Sequence, residues 1–443
     1  MNTPVTDIPL SPRVRAGYGL GSVTTGSFGT VPGLMLLPYL TDTLGVAAAL
    51  AGLIVFLPKA WDVVLNPIVG RISDRSTDPR GPRRPFLLLG GLPLALCFAL
   101  LFAGPPLGST ALDALWVLVM FLLCATAYAF FQVPYMAMPA EITDSYHERT
   151  RLMSWRVGIL AFTIMLAGAS APAVRDAFGG QSGYRVMGVL IGVLLLLGVI
   201  GSYRGTRTAP IRTASESAGT MREQLRLISS DRAFRLLLIV FVVQALASST
   251  MLASVDYAAR WVLEDEGAAT ALFVCFVGPA LLLTPAWGRL GQRLGKRRGY
   301  LLASLVWIAA TPLLFWAGSS ATWWVYTVAA LAGIGYSGMQ LFPMAMMPDI
   351  AAQDARRSGD NRSGVYTGIW TAGETLGMAL GPGLYALVLA VGHYRSADSF
   401  ETIAQQPDSA LTAVALGFSL LPSLLVALSL IPLLRYREPQ QLP

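Results

Sequence analysis

The sequence predicts an all-α integral membrane protein whose twelve transmembrane helices form two pseudo-symmetric six-helix bundles. Three observations carry that expectation. Hydrophobic residues make up 54% of the 443 and charged residues only 13%, about half the charge of an average soluble domain. Stretches such as Val189–Val199 and Leu236–Val243 are apolar all round, whereas a helix facing water keeps a polar stripe at helical period. Pro-Ile-Val-Gly-Arg-Ile-Ser-Asp-Arg at 67–75 also returns 218 positions later as Pro-Ala-Trp-Gly-Arg-Leu-Gly-Gln-Arg at 285–293, and each copy closes an apolar segment and opens a basic loop.

A spanning helix needs about 20 apolar residues. The first such segment, 17–40, follows a polar stretch through Pro12 and is full length, so it reads as a span and not as a cleavable signal. The second, 46–70, carries Lys59 and Asp62 and runs into the first repeat copy. The third, 85–104, starts after Arg80-Gly-Pro-Arg83-Arg84. The fourth, 114–138, closes on Gln132-Val-Pro-Tyr-Met-Ala-Met; the fifth, 151–172, opens with Arg151 and Arg156; the sixth is 184–203. Residues 204–232, rich in Ser, Thr and Arg, form the one long interior connection. They divide the chain into bundles at 1–203 and 233–443. The second half continues with 233–258, 268–289 ending in the second repeat copy, and 299–318 after Lys296-Arg297-Arg298. It closes with 322–346, 363–391 and 410–434. A second internal match, Gln340-Leu-Phe-Pro-Met-Ala-Met, recurs 208 positions after Gln132 and closes the fourth helix of its half. Paired halves around a midplane cavity are the architecture of secondary transporters.

Basic residues gather in loops that stay cytoplasmic. Of the 32 Lys and Arg, only Arg175, Arg185, Arg260 and Arg395 fall in the odd-to-even connections, while Lys59 and Arg156 sit in or at the start of helices. Both termini are therefore expected on the cytoplasmic side of a cell inner membrane, and this asymmetry accounts for the net charge of +7. Each basic cluster lies directly beside a span, which argues against a nucleic-acid surface. Cys97, Cys124 and Cys275 lie in apolar runs without metal-ligand spacing and read as core residues. No Ser-His-Asp set, HExxH or phosphate-binding glycine loop is present, so an enzyme is not expected, and no cofactor is implied. His147 and His393 are solitary.

The run Lys59-Ala-Trp-Asp62-Val-Val-Leu-Asn66-Pro67-Ile-Val-Gly70-Arg-Ile-Ser-Asp74-Arg75, then Gly81-Pro-Arg83-Arg84-Pro85, resembles the glycoside-pentoside-hexuronide:cation symporters of the major facilitator superfamily. So do Glu141-Ile-Thr-Asp144-Ser-Tyr-His-Glu148-Arg149-Thr-Arg151-Leu and Pro348-Asp349 with Arg362-Ser-Gly364-Val-Tyr366 ahead of Leu376-Gly377-Met-Ala-Leu-Gly381. The resemblance runs from Tyr18 to helix eleven. It implies a major facilitator fold and symport of a sugar or glycoside with H⁺ or Na⁺ by alternating access. The rival cargo is a lysophospholipid or another amphiphile, and a different class is a non-transporting receptor. A monomer in the bilayer is expected, because one chain holds both halves.

A carboxylate inside a bilayer is costly and persists mainly where it meets a cavity and a partner. Asp62 is such a group, with Lys59 at i−3 and Asn66 at i+4 on one helix face. An acid, an amide oxygen and neighbouring carbonyls suit Na⁺; Asp62 equally suits a proton, or forms a structural pair with Lys59. Melibiose-type members of the resembled family carry a second acid where this chain has Asn66 and polar residues where it has Leu65 and Ala129, so the implied sodium site is depleted; this favours a proton and leaves uncoupled transport as a further alternative. The resemblance also places substrate between helices one, four, five and eleven, at Thr25, Gln132, Arg156 and the Glu374-Thr375 pair. There, charges common in sugar-binding members are replaced by neutral groups. Tyr128, Tyr135 and Trp370 offer rings for a pyranose face. Glu374 reads as a proton carrier, or as an acid in a wet vestibule or ion pair; Arg156 as a gate or anion contact, or as a snorkelling residue. Asp256 and Arg260, at i+4, read as an interfacial ion pair. Asp74, Arg75, Glu141, Asp144, Arg149, Arg151 and Asp349 are the expected cytoplasmic gate, whose pairs hold that face shut together although each is weak alone in water.

Overall fold

The computed structural model of the chain describes residues 10–143, 146–209, 231–265, 267–318, 323–358, 363–396 and 405–437. Twelve long helical segments follow one another among the described residues. They are α1 (Pro12–Pro38, continued by a π-turn at Tyr39–Thr43), α2 (Ala48–Asp74), α3 (Arg84–Phe102), α4 (Thr110–Ile142), α5 (Tyr146–Phe178) and α6 (Gly180–Gly205). The second half repeats the series with α7 (Arg232–Tyr257, continued by a π-turn at Ala258–Val262), α8 (Ala268–Leu294), α9 (Lys296–Ala310 with a 3₁₀ turn at Thr311–Trp316), α10 (Trp323–Ser358) and α11 (Ser363–Val391). The last, α12, comes in two pieces, Asp408–Phe418 and Leu420–Arg435, interrupted at Ser419. Among the described residues, eleven helices are long and apolar enough to cross a membrane by length and composition. Only α1, which carries Ser22, Thr24, Thr25, Ser27 and Thr30, falls outside that set.

Helix starts follow ordinary capping chemistry. Ser109 Oγ accepts from Leu112 N–H at 3.3 Å, and Asp231 Oδ1 accepts from the Ala233 and Phe234 N–H groups at 2.8 and 3.1 Å, satisfying donors that the first turn leaves open. The turns into the third helix of each half use a glycine with positive φ, Gly81 at 109° and Gly295 at 87°, a region where a side chain would clash. Large apolar side chains, among them Leu96, Phe162, Leu197, Leu282, Leu387 and Leu424, are exposed on the outer surface. Water does not tolerate so continuous an apolar coat, and hydrocarbon does.

Contacts divide the chain into two compact units, residues 1–32 with 60–216 and residues 33–59 with 217–443. The division cuts α1 and α2 midway, so their later and earlier parts, respectively, group with the second half. Most of the expected linker, 210–230, lies outside the described residues. In the first unit α3 packs on α4 and α6, and α5 on α6; in the second, α9 packs on α10 and α12, α7 on α11 and α12, and α8 on α10. Small residues allow the closest crossings, as is usual where helices associate without a hydrophobic drive. A Cβ on Gly17 would lie 2.3 Å from Gly205 Cα, and one on Gly90 would lie 2.4 Å from Phe131 N.

Candidate functional site

In the first unit, α2 lies along α4. Trp61 Nε1 donates to Thr126 Oγ1 at 3.1 Å, and Leu65 and Val69 pack with Ala129 against Phe130 and Val133. That contact buries Asp62, 7% exposed, one turn before Leu65; Asn66 is half-buried. Across from this seam α1 presents Thr25, whose hydroxyl donates to Gln132 Oε1 at 2.7 Å. Tyr128, one turn before Gln132 on α4, hydrogen-bonds Thr25 and lies in the electrostatic reach of both Asp62 and Arg156. Its ring packs on Phe28 with centroids 4.6 Å apart.

Tyr135 is fully buried. Its hydroxyl donates to the Tyr18 carbonyl at 2.8 Å and lies 3.1 Å from Ser22 Oγ, and its ring stacks on Tyr18 at 4.7 Å. It is a fixed wall, not a free platform. The Arg156 guanidinium carbon lies 5.9 Å from the centre of that ring, and Arg156 Nε is buried without a hydrogen-bond partner among the described residues. Leaving a buried charged donor open is costly. Thr25, Tyr128, Gln132, Tyr135, Arg156 and Asp62 are thus gathered in one neighbourhood, and Tyr18 and Ser22, which sequence reasoning passed over, join them.

In the second unit α10 carries the repeat mates of Tyr128 and Gln132. Tyr336 and Gln340 stand 208 positions later, again one turn apart. Gln340 Nε2 donates to the Tyr336 hydroxyl at 2.8 Å, and Tyr336 lies in the electrostatic reach of Glu374. Each half therefore sets a Tyr-x-x-x-Gln pair beside an acid, a signal present in the second internal match but read there only as duplication. Glu374, Thr375 and Lys59 are half-buried. Trp370 is 1% exposed and stacks on Phe241 at 4.4 Å. Helix packing against Phe241 covers one face of its ring.

The residues of the expected gate are described in part. Asp144 and the side chains of Asp74, Glu141 and Arg149 lie outside the described residues, and Arg75 is exposed. Arg151 pairs with Glu148 at 2.9 Å, and Asp349 pairs with Lys296 at 2.5 Å. Glu148, missed from sequence, is the hub: both its oxygens accept from Arg15 on α1, at 2.8 to 3.0 Å, and Oε2 also accepts from Leu10 N–H at 3.2 Å. Burial pushes this carboxyl upward, but the Arg15 fork, the Leu10 N–H and Arg151 outweigh it and hold it below the ordinary glutamate range. One arginine of each basic cluster reaches carbonyls near a helix end. Arg84 at the start of α3 donates to the Arg207 and Ala209 carbonyls beyond α6, and Arg297 at the start of α9 donates to the Leu433 and Leu434 carbonyls of α12. A cation on a helix's last open carbonyls is favourable, as at Arg297, while Arg84 meets carbonyls of the turn just past its neighbouring helix.

The family profile described as "MFS/sugar transport protein" matches residues 17–438. The chain belongs to this family. As an MFS/sugar transport protein it is a multi-pass membrane carrier, a secondary transporter and not an enzyme. It is 24% identical to the putative glycoside/cation symporter YagG of Escherichia coli, covering 97% of this chain and 92% of that protein. It is likewise 24% identical to a glucuronide carrier protein homolog of Escherichia coli, covering 87% and 85%. Among solved structures, a bacterial homolog of the human lysosomal transporter Spinster superposes with a TM-score of 0.67 at 16% identity, covering 96% of this chain and 95% of that one. That likeness establishes the major facilitator fold.

Proposed function

We propose that this protein is a symporter that couples H⁺ or Na⁺ to the movement of a sugar-like solute bearing an anionic group. It acts as a monomer in the inner membrane with both termini cytoplasmic. The observation that carries the reading is Arg156 Nε, a buried charged donor left open beside a hydroxyl-rich wall. Thr25, Gln132 and Tyr128 supply donors and acceptors that match sugar hydroxyls, while the guanidinium matches a carboxylate or sulfonate. Asp62, buried on α2 within electrostatic reach of Tyr128, is the coupling group, with Asn66 and Lys59 on the same helix face. Glu374, beside Tyr336, is the corresponding acid of the second half. Relatives named as a glycoside/cation symporter and a glucuronide carrier homolog support both the coupling and the solute class.

The test is uptake into proteoliposomes under an imposed proton or sodium gradient, comparing a phenyl glucuronide with the matching uncharged phenyl glucoside. Accumulation of the glucuronide under one of the gradients is expected. Accumulation of the glucoside alone, or of a lysophospholipid instead of either sugar, overturns the solute assignment; no accumulation under any gradient overturns symport.

A further inference from the structure

Asp42 stands in the π-turn that continues α1, and Arg260 stands in the π-turn that continues α7. They are 218 positions apart, the offset that relates 67–75 to 285–293, and Tyr39 and Tyr257 recur at the same offset. Equivalent positions of the two repeats therefore meet: Arg260 Nη1 donates to Asp42 Oδ2 at 3.3 Å. In a symmetric dimer, positions that meet on the two-fold axis carry the same residue, and like charges would repel. Duplication within one chain lets one repeat supply the acid and the other the base.

The pair is buried and supported. The Tyr394 hydroxyl donates to Asp42 Oδ1 at 2.8 Å, Thr41 Oγ1 lies 2.8 Å from the same oxygen and 2.6 Å from the Tyr257 hydroxyl, and Trp261 Nε1 donates to Tyr394 at 2.9 Å. Side-chain exposure is 15% for Arg260 and 6% for Asp42. Close by, Ser396 Oγ donates to the Val46 carbonyl at 2.8 Å. A Cβ on Gly52 of α2 would come within 2.4 Å of Ala386 Cβ on α11. All of these residues belong to the second compact unit. π-turns concentrate at functional sites, and here two of them present the two charges.

We propose that the Asp42–Arg260 pair is a latch that closes the transport pathway at the end of the protein remote from the termini, by tying the end of α1 to the end of α7. Opening on that side requires Asp42 to leave Arg260. Asp256, one turn before Arg260 on α7 and 3.7 Å from it, keeps a carboxylate on the guanidinium when Asp42 withdraws. A buried pair broken without such a substitute would leave a stranded charge, which is strongly destabilising. The latch is therefore reversible within each transport cycle.

Ala253, fully buried and one turn before Tyr257 on the same face of α7, is the reporter position. In a cysteine-free background, Ala253→Cys is treated with a membrane-impermeant maleimide applied to each side of the membrane in turn. Asp42→Asn and Arg260→Gln are each expected to raise labelling about tenfold, only from the side opposite the termini. Their combination should raise it no further than either alone, the signature of one shared interaction. Gly52→Leu, which wedges α2 from α11 without touching a charge, is expected to do the same. Unchanged labelling in monodisperse Asp42→Asn and Arg260→Gln protein overturns the latch, as does a double variant whose rise is the product of the two. Should the charge variants fail to fold, unchanged labelling with Gly52→Leu overturns it.

Discussion

Replacing Arg156 with Gln separates binding from architecture. The guanidinium holds a buried Nε donor without a partner among the described residues, which costs the empty protein about 1–3 kcal/mol. Its favourable contacts are with Tyr135, whose ring centre lies 5.9 Å away and whose hydroxyl it hydrogen-bonds, together worth about 0.5–2 kcal/mol. Tyr135 keeps its bonds to the Tyr18 carbonyl and Ser22, so the wall stays in place. The two terms offset, and Arg156→Gln is expected to melt within a degree or two of the parent or slightly above it. Binding responds differently. A charge-assisted bond from the guanidinium to a ligand anion is worth about 1.5–3 kcal/mol, which is about 10-fold to 150-fold in affinity. An uncharged analogue loses almost nothing. The assay is isothermal titration in detergent with a glucuronide and its uncharged glucoside, alongside a thermal melt of the empty protein. An equal loss of affinity for both ligands, or a melt lowered by many degrees, would refute the reasoning, because either result makes Arg156 a packing residue.

Asp62→Asn is expected to abolish gradient-driven accumulation while leaving solute exchange, since an amide neither carries a proton nor neutralises a cation; full accumulation in counterflow-competent vesicles would exclude Asp62 as the coupling group. Gly17→Ala and Gly158→Ala should move the melting temperature in opposite directions. At Gly17 the new methyl meets Gly205 backbone at 2.3 Å, costing about 1–3 kcal/mol. At Gly158 nothing lies within 4 Å, and the gain in helix propensity is about 0.5–1 kcal/mol. The Glu148 clasp sets a pH dependence. Its carboxyl is held below the ordinary glutamate range, so its contribution is full above the unfolded value and is lost as pH falls through the lowered folded one. Arg15→Ala should therefore lower the melt near neutral pH, and the gap to the parent should close in strong acid; a gap that widens on acidification would contradict this.

Much of the architecture is legible in the amino-acid order. Span number, the repeat and the resemblance to a symporter family follow from composition and periodicity, because a bilayer leaves helices few alternatives. The residues Asp62, Thr25, Gln132 and Arg156 were legible for a related reason: polar groups inside apolar segments are conspicuous. Which neighbours such residues meet is set by the packing of the whole chain. Trp370 and Tyr135 look alike in sequence as aromatics near a pore, yet Phe241 occupies the face of the first and Tyr18 holds the second. Asp42 sits in an unremarkable stretch and Glu148 in a motif run that assigns it no partner, and what gives them meaning is Arg260, 218 residues away, and Arg15, 133 residues away. Arg84 and Arg297 read as topology charges until the carbonyls they meet near helix ends are seen. Hydrophobic period specifies where a helix lies and how much of it meets lipid. Which two side chains touch depends on packing between elements far apart in the chain, where a local pattern carries no information.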